Sequence, residues 1–221
     1  MTSGEAGVVD LHAPDLAWTT VPMPGAADPV RLVRLHLDRA TRSSVSLVRF
    51  PAGWSRPGAG HYTCAEEFVV IEGRISVSGT DVEAGTYAYL PPRATRTATV
   101  AGSGGCLAVA WFSGAPVWRE GPAADVPDHD PVHGPVHGPP GLCRRRRPAV
   151  PGDSAVLPSV AGLPERLAEA VDLLFVDSPR WAYVPPGEPL PGLPGPVLAR
   201  RWPAPSPLGP AEVTQEQQHP G

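Results

Sequence analysis

Residues His61–Gly73 read HYTCAEEFVVIEG. A histidine and two adjacent carboxylates, Glu66 and Glu67, lead into the apolar run Phe68–Ile71, which stops at Glu72-Gly73. The run is short, partly β-branched and closed by a turn residue, so it reads as a buried strand. Segments of the same kind flank it. Val30–Leu37 (VRLVRLHL) starts after a proline, and Ser44–Phe50 (SVSLVRF) stops at Pro51-Ala-Gly. Glu67–Glu72 stops at Gly73, Arg74–Ser78 alternates, and Thr86–Leu90 stops at Pro91-Pro92. Thr95–Val100 alternates again, and Cys106–Phe112 is a continuous apolar run. Short strands this closely spaced, with no helical period between them, point to a sandwich or barrel.

Composition bounds the rest. The 221 residues allow one domain with an appendage or two small ones, and 42% hydrophobic residues suffice for a packed core. The net charge of −4 gives no electrostatic case for nucleic acid. Lysine and asparagine are absent and every basic residue is arginine, a coding bias that warns against over-reading arginine counts. Cys64, Cys106 and Cys143 form no Cys-x-x-Cys pair, which fits a reduced, cytoplasmic setting. The N-terminus has no basic segment followed by an apolar one, so no secretory signal is expected. No apolar stretch approaches the roughly 18 residues of a membrane span.

Proline divides the chain. Residues 1–115 hold 8 of the 31 prolines, so a regular sheet is expected there and not through most of the remainder. Asp125–Pro140 repeats VHGP and spaces His129, His133 and His137 four apart. Intervening Pro and Gly forbid the helix that would stack them on a metal, so a flexible linker is expected. Arg144–Arg147 reads as part of that solvated linker. Leu163–Phe175 reads as a helix, with Pro164 in its first turn and Leu167, Ala170, Val171 and Leu174 as an apolar stripe. The final EVTQEQQHPG is expected to be disordered. One echo stands out: Tyr87–Pro92 is YAYLPP and Trp181–Pro186 is WAYVPP, which would fit a degenerate second half of the same fold.

The segments from about residue 28 to 115 resemble the cupin superfamily. That family's first signature is roughly Gly, five residues, His-x-His, three or four residues, Glu, six residues, Gly. His61 fits the first histidine, Thr63 stands at the second, and the spacing leaves both Glu66 and Glu67 open as the glutamate. The EEFVVIEG block favours Glu66, and a slip of one residue would reverse the facing. In the second signature Gly85 and Pro91 fit, Arg93 replaces a glycine, Arg96 the histidine and Val100 the asparagine. The resemblance implies a mainly β, double-stranded β-helix (jelly-roll) barrel. We expect an N-terminal arm over 1–27, in which Trp18 packs on the barrel, and the barrel itself over 28–115. A Pro/Gly-rich linker over 116–162 and a helix with an irregular tail over 163–221 follow. It also implies a homodimer and, in its usual form, a divalent iron, zinc or manganese.

The residues argue against the usual metal site. In Thr95–Val100 alternation puts Arg96, Ala98 and Val100 on one face, and if that face lines the barrel Arg96 points inward. A cation is poorly placed beside a guanidinium, whereas a buried carboxylate and Arg neutralise each other. An Arg96–Glu66 pair at the former metal position is therefore expected. Three functions compete. One is a barrel that binds a small, anionic molecule without metal, lined by Tyr62, Tyr87, Arg96 and Trp111, with His61 at the mouth. The second is a metal-dependent dioxygenase or isomerase using His61 and Glu66 or Glu67, with Cys64 or Cys106 as further ligands. The third is a structural dimerisation module with a filled barrel. Trp54, Tyr62, Tyr87, Tyr89 and Trp111 also suit core and rim positions. No Ser-His-Asp order, phosphate loop or dinucleotide fingerprint is present.

Overall fold

The computed structural model describes residues 7–124, 130–136, 141–144, 150 and 152–201. In chain order the strands are β1 (Val9–Asp10), β2 (Thr19–Val21), β3 (Val30–Leu37), β4 (Ser44–Phe50), β5 (Ser55–Arg56) and β6 (Gly60–Tyr62). Then come β7 (Glu66–Val77), β8 (Thr80–Glu83), β9 (Thr86–Leu90), β10 (Thr99–Phe112), β11 (Trp118–Glu120) and β12 (Val132–Pro135). The last are β13 (Gly141–Arg144), β14 (Ser154–Leu157), β15 (Val171–Phe175), β16 (Arg180–Val184) and β17 (Val197–Arg201). The mainly β, double-sheet architecture expected from the sequence is the one the chain adopts.

A nine-stranded antiparallel sheet runs β12-β9-β7-β10-β4-β3-β2, with β5 added on β10 and β8 on β7. A six-stranded sheet runs β1-β16-β15-β17-β14-β13, and β6 pairs with β11 in a separate ribbon. The alternation of β7 explains how the layers stack. Phe68 and Val70 join Val48, Trp54, Ala108 and Ala110 in a cluster on the inner face. Val69 faces the other way, into a core shared with Leu174, Trp181 and Leu198 of the six-stranded sheet. The far face of that second sheet buries Val171, Leu173, Phe175, Ala182 and Val197. The N-terminal segment ties the layers together: β1 pairs with β16, and Leu16 and Trp18 pack on the shared core. Arg31 and Arg49 lie over the Trp18 ring, at 5.2 and 5.6 Å from its centroid.

Several expectations need correction. Gly73 does not end a strand. It sits at φ +72 inside β7, paired with Cys106 between two register shifts, and a Cβ there would lie 2.2 Å from the Gly105 carbonyl, so glycine lets the ladder continue. The alternating strand expected at Thr95–Val100 starts only at Thr99, and its facing is reversed there: Thr99 is buried and Val100 is exposed. No helix forms over Leu163–Phe175. A 3₁₀ turn at Val160–Gly162, capped by the Ser159 hydroxyl, precedes irregular chain and then β15. The apolar stripe misled because all five residues of β15 are buried, Leu174 on one face and Leu173 on the other. A strand covered on both faces is a continuous apolar run, and periodicity alone cannot separate it from a buried helix.

The C-terminal region is also more regular than its proline count suggests. β14, β15, β16 and β17 contain no proline; Pro158, Pro164, Pro179 and Pro185 fall in the connections. The first VHGP copy is not flexible linker but edge strand β12, pairing with β9. His129, His137, Arg145–Arg147 and the EVTQEQQHPG tail lie outside the described residues. Among the described residues no helix is long and apolar enough to cross a membrane.

The two YAY-type segments occupy matching places. Tyr87, Ala88, Tyr89 and Leu90 face Val69, Phe68, Glu67 and Glu66 across β9–β7. Trp181, Ala182, Tyr183 and Val184 face Leu174, Leu173, Asp172 and Val171 across β16–β15. Aligning the segments superposes Glu67 on Asp172 and Glu66 on Val171.

Candidate functional site

The inner face of the nine-stranded sheet surrounds a cavity of about 240 Å³. Its walls are largely apolar, among them Met23, Leu32, Val48, Phe50, Phe68 and Phe112. Its charged lining is three arginines, Arg34, Arg56 and Arg96, against one carboxylate, Glu66.

Each charged side chain has a structural reason for its position. Glu66 opens β7 and, sharing parity with Phe68 and Val70, faces inward. Arg96 follows the Pro91–Ala94 turn and is clamped to Gly60 by reciprocal backbone bonds of 2.8 and 2.9 Å. That clamp, rather than a regular strand, aims the guanidinium at the cavity, where Arg96 Nη2 donates to Glu66 Oε2. Arg96 also lies over the Tyr62 ring at 4.8 Å. Tyr62 comes from β6 and packs edge-on against Phe112 and Trp118. Its hydroxyl accepts from Arg56 Nη2 at 3.3 Å. Burial, and next the Glu66 charge, push the Tyr62 phenol above its ordinary range, so it stays protonated.

Sequence reasoning missed Arg56. It is 2% exposed, lies on two-residue strand β5 against β10, and sits 3.9 Å from the Trp118 ring centroid. Nothing in the local sequence marks it; a short strand beside a proline is unremarkable until β10 closes over it.

The other expected residues go elsewhere. Glu67 points out of the cavity, into the core between the sheets. There it accepts from Arg144 Nη2 and Arg200 Nε, each at 2.9 Å, from Tyr87 Oη at 2.8 Å, and from the Ser154 hydroxyl. Burial alone would raise the Glu67 carboxyl, but Arg200 and Arg144 outweigh it and hold it at about 2. Arg144 is thus a buried counter-ion, not part of a solvated basic run. Tyr87 serves this cluster rather than the cavity. Trp111 also lies in the shared core and donates from Nε1 to Asp172 Oδ2 at 3.1 Å. His61 alternates with Tyr62 and does not line the cavity; its Nδ1 lies 3.2 Å from the Gly121 carbonyl.

The fold implies a metal, and the residues present do not fit one. His61, Glu66 and Glu67 face three different surroundings, and no three His, Cys, Asp or Glu side chains gather among the described residues. The inward carboxylate is already neutralised by Arg96, and the Nε atoms of Arg96 and Arg56 are buried donors, which repel a cation. The thiols are poor substitutes: burial pushes Cys64 up to about 11 and Cys106 up to about 12. What the arrangement can do is receive hydrogen-bond acceptors against an apolar wall.

Comparison with known proteins agrees with this fold. The family model described as the ChrR cupin-like domain matches residues 7–112. No curated protein matches. A candidate dioxygenase from Nostoc punctiforme is similar in structure, with TM-score 0.66 and 18% identity over 88% of this chain and 81% of that one. The protein YlbA from E. coli superposes with TM-score 0.54 and 13% identity over 88% of this chain and 89% of that one. Identities this low carry the fold and not the activity. Residues 7–112 thus form a cupin-like domain, and the described residues share the fold of these structures.

Proposed function

We propose that this protein binds a small molecule in the cavity of its first barrel, and that the Arg96–Glu66 ion pair occupies the place where cupins usually hold a metal. The observation that carries the reading is a closed-in apolar cavity whose charged lining is mostly arginine. A cavity of about 240 Å³ lies below the roughly 300–1,000 Å³ of drug-sized sites, so the ligand is a small one. The open cavity disfavours a purely structural module with a filled barrel.

The six-stranded sheet supports a further part of this reading. We take it as a degenerate second cupin half whose interior has filled with aliphatic side chains.

The likeness to a candidate dioxygenase favours the alternative, a metal-dependent enzyme. Elemental analysis of purified protein separates the two. Iron, zinc and manganese far below one per chain are the expected result. One tightly bound metal ion per chain, lost in Glu66→Gln, would overturn the metal-free reading.

A further inference from the structure

Arg96 and Arg56 line the same cavity but differ in one respect. Arg96 has a resident counter-ion, Glu66. Arg56, equally buried, has no carboxylate within ion-pair distance among the described residues. Its Nη2 reaches the Tyr62 hydroxyl and its Nε is a buried donor without an acceptor. The contacts that remain are ring faces: Trp118 at 3.9 Å, and Trp54 and Tyr62 at 5.6 Å each. Cation–π contacts offset part of the lost hydration but supply no hydrogen-bond acceptor. A buried guanidinium left in this state is costly unless an anion completes it.

The surroundings hold Arg56 in place for such an anion. Gly60 lets the Trp118 ring lie against the strand, since a Cβ there would fall 2.1 Å from Cζ2. Gly25, at φ +76, faces the Arg56 stem: a Cβ there would lie 3.5 Å from Arg56 Cγ. The guanidinium is therefore positioned before any ligand arrives, which lowers the ordering cost of binding. The Tyr62 hydroxyl already accepts from Arg56, so its own proton is available to a second acceptor in the cavity.

We infer that Arg56 is the anchor for the head group of a monocarboxylate with an apolar tail, the head accepting from Arg56 and Tyr62 and the tail lying against Phe68, Phe112 and Val48. This rests on reading the cavity as a small-molecule site. A planar carboxylate matches the guanidinium fork. A phosphate dianion does not suit the site, because Glu66 lines the same cavity and repels a second negative charge. The Arg96–Glu66 pair remains intact beside the ligand.

The test measures binding of hexanoate and phenylacetate to the full chain by calorimetry, against hexanamide and phenylacetamide, which match them in shape without the charge. The acids are expected to bind at least tenfold more tightly than the amides, about 1.4 kcal/mol. Arg56→Met is expected to lose that preference, and Ala110→Phe, which fills the cavity, to lose binding of both series. If Arg56→Met does not fold, Arg56→Lys replaces it and is expected to weaken acid binding while keeping the preference over amides. Amides binding as tightly as acids, or acids binding Arg56→Met as tightly as the parent, would overturn the role of Arg56. If Ala110→Phe still abolished that binding, the cavity reading would survive. Failure of both acids to bind the parent protein would overturn the monocarboxylate assignment, leaving the cavity reading to the metal analysis.

Discussion

Strands β7, β9 and β10 of the nine-stranded sheet and strands β15, β16 and β17 of the six-stranded sheet are paired in the same way and differ in what they keep. At one matched position both retain a buried carboxylate, Glu67 and Asp172. At the next, Glu66 lines a cavity and Val171 is fully buried among aliphatic side chains. The donors cross between the halves. Trp111 lies opposite Glu67 in its own sheet but bonds Asp172, and Arg200 lies opposite Asp172 but bonds Glu67. The lesson is a division of labour between adjacent carboxylates. The pair at the sheet interface is structural, since each member holds the opposite layer. The neighbouring position is polar where it lines the cavity, at Glu66, and apolar where it is buried, at Val171.

The strongest way to break this comparison is to make the second sheet look like the first. Val171→Glu would place a carboxylate among buried apolar side chains, where the cation opposite it on β17, Arg201, is half-exposed and turned toward Asp153. Chemical denaturation should show a loss of about 4 kcal/mol or more, through an unpaired buried charge. A variant that stays within about 1 kcal/mol of the parent would mean that the second interior is not closed.

Next in size is the interface. Glu67→Ala leaves Arg144 and Arg200 buried without their shared acceptor and should cost about 3–5 kcal/mol in the same assay. The pH dependence follows from the same carboxyl. Its pKa is depressed from 4.5 to about 2 in the folded protein. Its contribution is therefore fully present above about 4.5 and is lost as pH falls through about 2. Urea midpoints should fall across that window in the parent, and the fall should be shallower in Glu67→Gln.

The converse swap should matter little. Replacing Glu66 and Arg96 together by Leu and Met makes the first interior resemble the second, and a buried pair exchanged for apolar groups is often neutral or stabilising. Stability should stay within about 1 kcal/mol of the parent or rise, while either single substitution destabilises. Trp111→Phe removes one bond to the buried Asp172 carboxylate and should cost about 1–3 kcal/mol in thermal or chemical unfolding. A much larger loss would show that the cross-layer bond carries more of the interface than the Glu67 cluster does.

Much of the nine-stranded sheet was legible. β3, β4 and β9 match the expected strands because turn residues bound them on both sides. Alternation puts either Glu66 or Glu67 inward and left that choice open; with Glu66 inward, its pairing with Arg96 follows from opposite charge. The facing argument used for Arg96 was nevertheless wrong in detail. Its side chain is aimed by two backbone bonds to Gly60, not by a strand that includes Val100. Of the two readings of the aromatics, cavity lining and core, Tyr87 and Trp111 take the core one. Tyr87 and Trp111 are inside, but on the other side of the sheet, and a buried aromatic looks the same in sequence whichever core it joins.

The sequence by itself determined strands β3, β4 and β9 and narrowed the inward carboxylate to Glu66 or Glu67, with Arg96 as its counter-ion. These depend on neighbours along one chain segment or on a two-residue period. Tertiary structure alone decided that residues 171–175 are strand, that Arg144 and Arg200 are counter-ions, and that Arg56 is a buried cation facing a cavity. Glu67 meets those two partners across 77 and 133 residues of sequence. Contacts of that span leave no local period or spacing to read, because what fixes them is the burial of one sheet against another.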